Sequence, residues 1–272
     1  MMVPFTFEEF LFSRQSLSLI LFSTFCAVLA LMPNAEAQQP KPAKEIAMKA
    51  QKGFAVVELF TSQGCSSCPS ADENLADLTE RAAKSGDKIV TLSFHVDYWN
   101  YLGWKDPYSL ADATKRQRLY AGVHGSKQVY TPQMVVNGKT ELLGSNREGS
   151  RAAIKNALKT RNESEIAVTS SLQDNDVVVD WNAYGFKPDD LLNIALVQDN
   201  AVDRVESGEN GGRTLKHTNV VRDFHIVNPV KEKGSLKLRI PEGVSAEKLH
   251  IVAYLQSPMD ANIHAVDVSR IK

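Results

Sequence analysis

An α/β domain followed by an all-β, sandwich-like domain is the fold class this sequence predicts, and three observations carry the prediction. A nearly continuous apolar run over residues 54–60, a helical pattern over 69–84 and a second apolar run over 88–94 read as a strand–helix–strand parallel crossover. Asn137-Gly138 joins two short apolar segments, 133–136 and 140–143, as a two-residue hairpin. From Glu165 onward the texture changes to short alternating segments that no helical pattern interrupts.

Taken in order, Arg14 precedes an apolar stretch over 17–32, and Ala35-Glu36-Ala37 then gives way to Gln38-Gln39-Pro40. That is the layout of an export signal over residues 1–37 with cleavage after Ala37. The stretch is somewhat shorter than the about 20 residues a spanning helix needs, so no membrane span is expected after cleavage. Residues 38–52 are polar and proline-bearing, as in a flexible linker. The first folded domain is expected over 53–161. Its helix over 69–84 places Leu75, Leu78 and Ala82 on one face. Residues 97–130 form a long insertion containing Tyr98, Trp99, Tyr101, Trp104 and Tyr108, most of them expected as core, with a helix at 110–121. A last helix over 147–159 turns Ala153, Ile154, Ala157 and Leu158 inward. Parallel pair, hairpin and closing helix make up a thioredoxin-like topology. Seven strands are expected over 166–172, 177–181, 191–197, 220–227, 236–240, 249–255 and 263–268, giving the β-sandwich-like domain at 162–272.

The chain has 272 residues, 43% hydrophobic and 23% charged, with a formal net charge of −1. That balance offers no electrostatic footprint for nucleic acid. Cys26 would leave with the signal, so the exported chain keeps only Cys65 and Cys68. A disulfide three residues long closes too small a loop to stabilise the fold much, which points to redox chemistry. Cys65 is expected at the helix entrance, where free backbone N–H groups and the macrodipole favour the attacking thiolate. Cys68, one turn inside, is then the resolving thiol.

Thr131-Pro132 precedes the strand at 133–136. A cis proline there would lie against the dithiol and leave neighbouring backbone free for an extended substrate. His95 and Asp97 stand at the end of the second strand, where open α/β sheets build their sites, as proton acceptor and orienter. Trp99 follows as a possible cover. The loop from Gly208 to Gly212 is long, polar and glycine-rich, and could reach over the dithiol.

The run from Val57 to Pro69, with His95-Val96-Asp97-Tyr98-Trp99, Leu102-Gly103-Trp104, Thr131-Pro132-Gln133 and Gly208-Glu209-Asn210, resembles the secreted thioredoxin-like family called domain of unknown function 1223. The resemblance spans about residues 53–270. Cys68-Pro69-Ser70 stands where the family has Cys-Pro-Pro, and the dithiol is kept. The resemblance implies an exported protein with a β-rich C-terminal portion, and no particular reaction.

Three functions follow. The first is a periplasmic or secreted thiol–disulfide oxidoreductase acting on protein thiols or disulfides, with no cofactor, in which Cys65 attacks, Cys68 resolves, Pro132 shapes the groove, and Thr131, His95, Asp97 and Trp99 support it. The second is a copper-binding or metallochaperone protein using Cys65, Cys68 and His95, since thiolate and imidazole suit copper. The third is a binding module whose disulfide is only structural.

Overall fold

In a computed structural model of the protein, which describes residues 53–272, each predicted element is found, but the elements do not sort into two domains. The expected export signal and linker lie outside the described residues. Strand β1 (Ala55–Thr61) leads through a turn into helix α1 (Pro69–Ser85) and returns as β2 (Ile89–His95), parallel to β1. Helix α2 (Ala111–Val123) follows, then β3 (Gln133–Val136), β4 (Thr140–Leu143) and α3 (Arg147–Ala157). The remaining strands are β5 (Glu165–Gln173), β6 (Asp176–Tyr184), β7 (Leu191–Arg204), β8 (Thr214–Val227), β9 (Lys233–Arg239), β10 (Leu249–Gln256) and β11 (Ile263–Arg270).

An α/β thioredoxin-like domain followed by a separate β-sandwich is not what the chain builds. One mixed sheet of eight strands, in the order β11-β10-β7-β8-β2-β1-β3-β4, crosses the expected boundary, and β5-β6-β9 form a second sheet of three. The junction is β8, which runs parallel to β2 and meets it at Ser93 and Val220. The described residues fall within one compact unit.

The packing explains why. In β1 the residues alternate between faces, so Ala55, Val57 and Leu59 meet α1 and α3 while Val56 and Phe60 face the other way. There they join Leu92 and Phe94 of β2, Tyr120 of α2, Val221 and Phe224 of β8, and Val252 and Tyr254 of β10 in one continuous core. Strands β7 and β10 are apolar on both faces, because their opposite sides, Leu192, Ile194, Leu196, Ile251 and Leu255, pack on Val177, Val179 and Trp181 of the small sheet. A strand of a two-layer sandwich has one such face, so the near-continuous apolar run of β10 already belongs to a strand covered on both sides. Cutting the chain at residue 161 would expose the first core.

Among the described residues, no helix is long and apolar enough to cross a membrane.

The Asn137-Gly138 turn forms as expected, with φ of 49° and 70° at its two residues and β3 antiparallel to β4. Asn137 also fastens the hairpin to β1: its side-chain oxygen accepts from Val56 N at 2.6 Å and its amide donates to Phe54 O at 3.1 Å. A Cβ at Gly138 would stand 1.7 Å from the backbone oxygen of Ala261. Gly138→Ala is therefore expected to cost at least about 1–3 kcal/mol from the left-handed φ alone, before the clash is relieved. Urea unfolding of the two proteins would measure it.

Candidate functional site

The site is assembled where β1 ends. A disulfide joins Cys65 and Cys68, with a Cα separation of 5.4 Å, across a turn in which Cys68 N donates to Cys65 O. Helix α1 starts at Pro69, so Cys68 holds the cap position and Cys65 sits in the preceding turn. Cys65 thus lies three residues before the helix cap, where the sequence placed it at the helix entrance itself. It is also less open than expected: Cys65 is 1% exposed and Cys68 fully buried, while Ser66 and Ser67 between them face solvent.

The cover over Cys65 is the strap of residues 205–213 that links β7 to β8. Glu209 accepts a hydrogen bond from Ser66 N at 2.9 Å, and that N–H holds its carboxyl below the usual range. The side-chain amide of Asn210, itself buried, donates to both Gln63 O and Cys65 O at 2.9 Å, and Arg213 anchors the Asn210 oxygen at 2.6 Å. The reach of this loop to the cysteines matches the sequence expectation. Its specific grip on the backbone of the Cys65 turn was not visible in the sequence.

Thr131-Pro132 is cis. Pro132 is buried beside Gly144, whose missing Cβ leaves room for Pro132, Leu59 and Ala71 of the first turn of α1. Trp99 connects the two halves of the site: its indole N–H donates to Thr131 Oγ1 at 2.8 Å, and its Cβ lies 3.0 Å from where a Cβ on Gly64 would be. Glycine before Cys65 is what lets Trp99 approach.

His95 and Asp97 do not act on each other. His95 is buried, and its Nδ1 lies 2.7 Å from Asp106 Oδ2, so Asp106 is the orienting carboxylate. Burial pushes the Asp106 carboxyl up, but His95 and the N–H groups of Gln63 and Tyr108 outweigh it and hold it below the usual range. Asp97 has turned toward α2, where it accepts from Thr114 Oγ1 at 2.6 Å. Asp97 lies past the end of β2, at a point where the chain has already changed direction toward α2.

Among the described residues no three His, Cys, Asp or Glu side chains are grouped so as to hold a metal, so with the disulfide formed Cys65, Cys68 and His95 are not brought together as a ligand set. Of Tyr98, Trp99, Tyr101, Trp104 and Tyr108, expected mostly as core, only Tyr108 is buried; Tyr98 and Trp99 lie at the rim of the core and Tyr101 is 79% exposed. Trp104 spends its indole N–H on Gln63 Oε1 at 2.8 Å.

Behind the disulfide lies a group of side chains that sequence reading missed. His217 of β8 stacks edge-on against His95, with ring centroids 4.6 Å apart, and its Nε2 is 3.2 Å from the Gln63 amide, which also donates to Asp203 at 3.1 Å. Asp72 of α1 comes within 3.5 Å of His217 Nδ1, an ion-pair distance with poor hydrogen-bond geometry. Several polar atoms here are buried without a hydrogen-bond partner: Asp72 Oδ1, His217 Nδ1, His95 Nε2 and Thr61 Oγ1. Burial, with Asp203 beside it, raises the Tyr108 phenol, and Arg222 lies 4.9 Å over the Tyr108 ring. Asp72 lies four residues after Cys68, on the same helix face, and that spacing was the one available sequence signal.

Among solved structures, a crystal structure of an Agrobacterium tumefaciens protein determined as a structural genomics target is similar to this chain: 29% identical, TM-score 0.58, covering 80% of this chain and 95% of that one. HBP35 of Porphyromonas gingivalis is similar in fold alone, at 13% identity and TM-score 0.56, over 81% of this chain and 76% of its own. No curated protein matches the chain in sequence. The family described as a protein of unknown function, DUF1223, matches residues 56–256, and on that match, which takes in the disulfide, His95, the cis proline and the strap, this chain belongs to the family.

Proposed function

We propose that this protein is a thiol–disulfide oxidoreductase that exchanges electrons with protein thiols or disulfides, in the periplasm or outside the cell. The observation that carries the reading is the Cys65–Cys68 disulfide at the head of a helix whose next turn bears buried Asp72, part of a group of incompletely paired ionisable side chains. A loop this short stabilises a fold little, and unsatisfied buried polar groups are costly, so neither feature is explained by stability. The export signal expected from the sequence over residues 1–37 would deliver the chain to an oxidising compartment. A substrate must first displace Glu209 from Ser66 N, which frees an N–H beside Cys65 for the incoming chain.

One observation favours a structural disulfide in a binding module instead: both cysteines are buried under the Asn210 strap. Equilibrating the purified protein with glutathione buffers separates the two. An exchange-active pair is expected to titrate reversibly at about −120 to −270 mV, whereas a structural one lies below about −300 mV. A midpoint in the lower range would replace the oxidoreductase reading with the structural one.

A further inference from the structure

Breaking the Cys65–Cys68 bond leaves a sulfur that needs a proton, and re-forming the bond requires that proton to go somewhere. Cys68 is fully buried, so the usual acceptor, water, is excluded from it. Asp72 N donates to Cys68 O at 3.0 Å, which makes the two residues neighbours one helical turn apart on α1. Asp72 is buried, its Oδ1 has no hydrogen-bond partner, and its Oδ2 faces His217 Nδ1, which has none either. A carboxylate one helical turn from the inner cysteine, and the imidazole facing that carboxylate, thus both have spare capacity.

We infer that the Asp72–His217 pair is the proton store of Cys68. The inference rests on the oxidoreductase reading. In the reducing direction a partner thiolate attacks Cys65 Sγ, a new S–S bond forms there, and the electron pair of the old bond leaves on Cys68. That thiolate takes the proton held between Asp72 and His217. In the resolving direction the pair takes the proton back from the Cys68 thiol, and the resulting thiolate attacks Cys65 Sγ of the mixed disulfide and expels the partner as thiolate.

Charged and aromatic groups face His217 from several elements. Asp72 approaches from α1, His95 from β2, Asp106 and Tyr108 from the β2–α2 connection, and Asp203 from β7, while Arg222 of β8 lies over Tyr108. Burial lowers the His217 imidazolium, but Asp72, with Asp106 and Asp203, outweighs it, and the net direction is up.

The test is the reaction of the reduced protein with 5,5′-dithiobis(2-nitrobenzoate), followed by release of the coloured thiolate. The first phase is attack by Cys65 and depends on reagent concentration; the second is resolution by Cys68 and does not. In the unaltered protein the second-phase rate is expected to level off between the ordinary histidine and thiol values of about 6.5 and 8.5. His217→Gln and Asp72→Asn are expected to slow that phase at least about tenfold and move the inflection to the thiol range, with the first phase within about twofold. An inflection of the unaltered protein at about 8.5 or above would overturn the inference whether or not the variants fold. So would second phases in folded variants that match the parent. Either result leaves the oxidoreductase reading standing, whereas a first phase no faster than that of free cysteine removes the reading itself.

Discussion

Cells producing the Cys68→Ser protein are expected to accumulate mixed disulfides through Cys65, at about tenfold or more the level seen with Cys65→Ser at matched expression, because attack survives while resolution does not. The asymmetry comes from placement. Cys65 lies in the turn beside exposed Ser66 and Ser67, with its sulfur 3.4 Å from the Ser67 hydroxyl. Cys68 stands one turn further in, at the cap of α1, where its backbone oxygen is taken up by Ala71 N and Asp72 N; both sulfurs are buried, so the asymmetry lies in this position and not in exposure. Non-reducing electrophoresis after acid quenching and alkylation reads the outcome. Equal, negligible capture by both variants would mean that the strap of residues 205–213 does not open to a partner, and the disulfide would then be structural.

Arg116→Met or Glu58→Leu alone is expected to destabilise the protein by about 3–5 kcal/mol, because each leaves an uncompensated buried charge. Both side chains are buried, and the guanidinium is bidentate to the carboxylate, with Nε to Oε1 at 2.6 Å and Nη2 to Oε2 at 3.0 Å. Around this pair, Tyr254 donates to Glu58 at 3.0 Å, Tyr120 also donates to Glu58, and Arg116 donates to Gln256 at 3.1 Å. Burial raises the phenols of both Tyr120 and Tyr254, so they remain donors across the ordinary pH range. The network fastens α2 to β1 and β10, elements from opposite ends of the chain. The double variant is expected to recover much of the loss, since two apolar side chains leave no charge behind. Denaturant unfolding of the four proteins, read as a double-mutant cycle, measures the coupling; additive single effects would show that the pair is not what joins the elements.

Local signals were sufficient for the elements, because each depends on near neighbours. The 3.6-residue spacing of Leu75 and Leu78, the Asn137-Gly138 turn and the apolar runs of β1 and β2 all report their own conformations. The cysteine pair and the cis Thr131-Pro132 were legible for the same reason: each is a short motif with a local chemical meaning. The orienting carboxylate of His95 was not, since Asp106 and Asp97 are both within reach in sequence and only the course of the β2–α2 connection selects Asp106.

By itself the sequence determined the order of strands and helices along the chain, the cysteine pair and the resemblance to the family. The tertiary structure decided how those elements group and what stands behind the sulfurs. β7 and β8 each extend about seven residues beyond their apolar stretches, through polar segments with no periodicity, and those extensions carry Asp203 and His217. Their strand state is set by cross-strand hydrogen bonding, which no single segment records. The same pairing joins β8 to β2 and turns two expected domains into one sheet, because the apolar faces of β1, β2, β7, β8 and β10 can be buried only against each other and their shared cover.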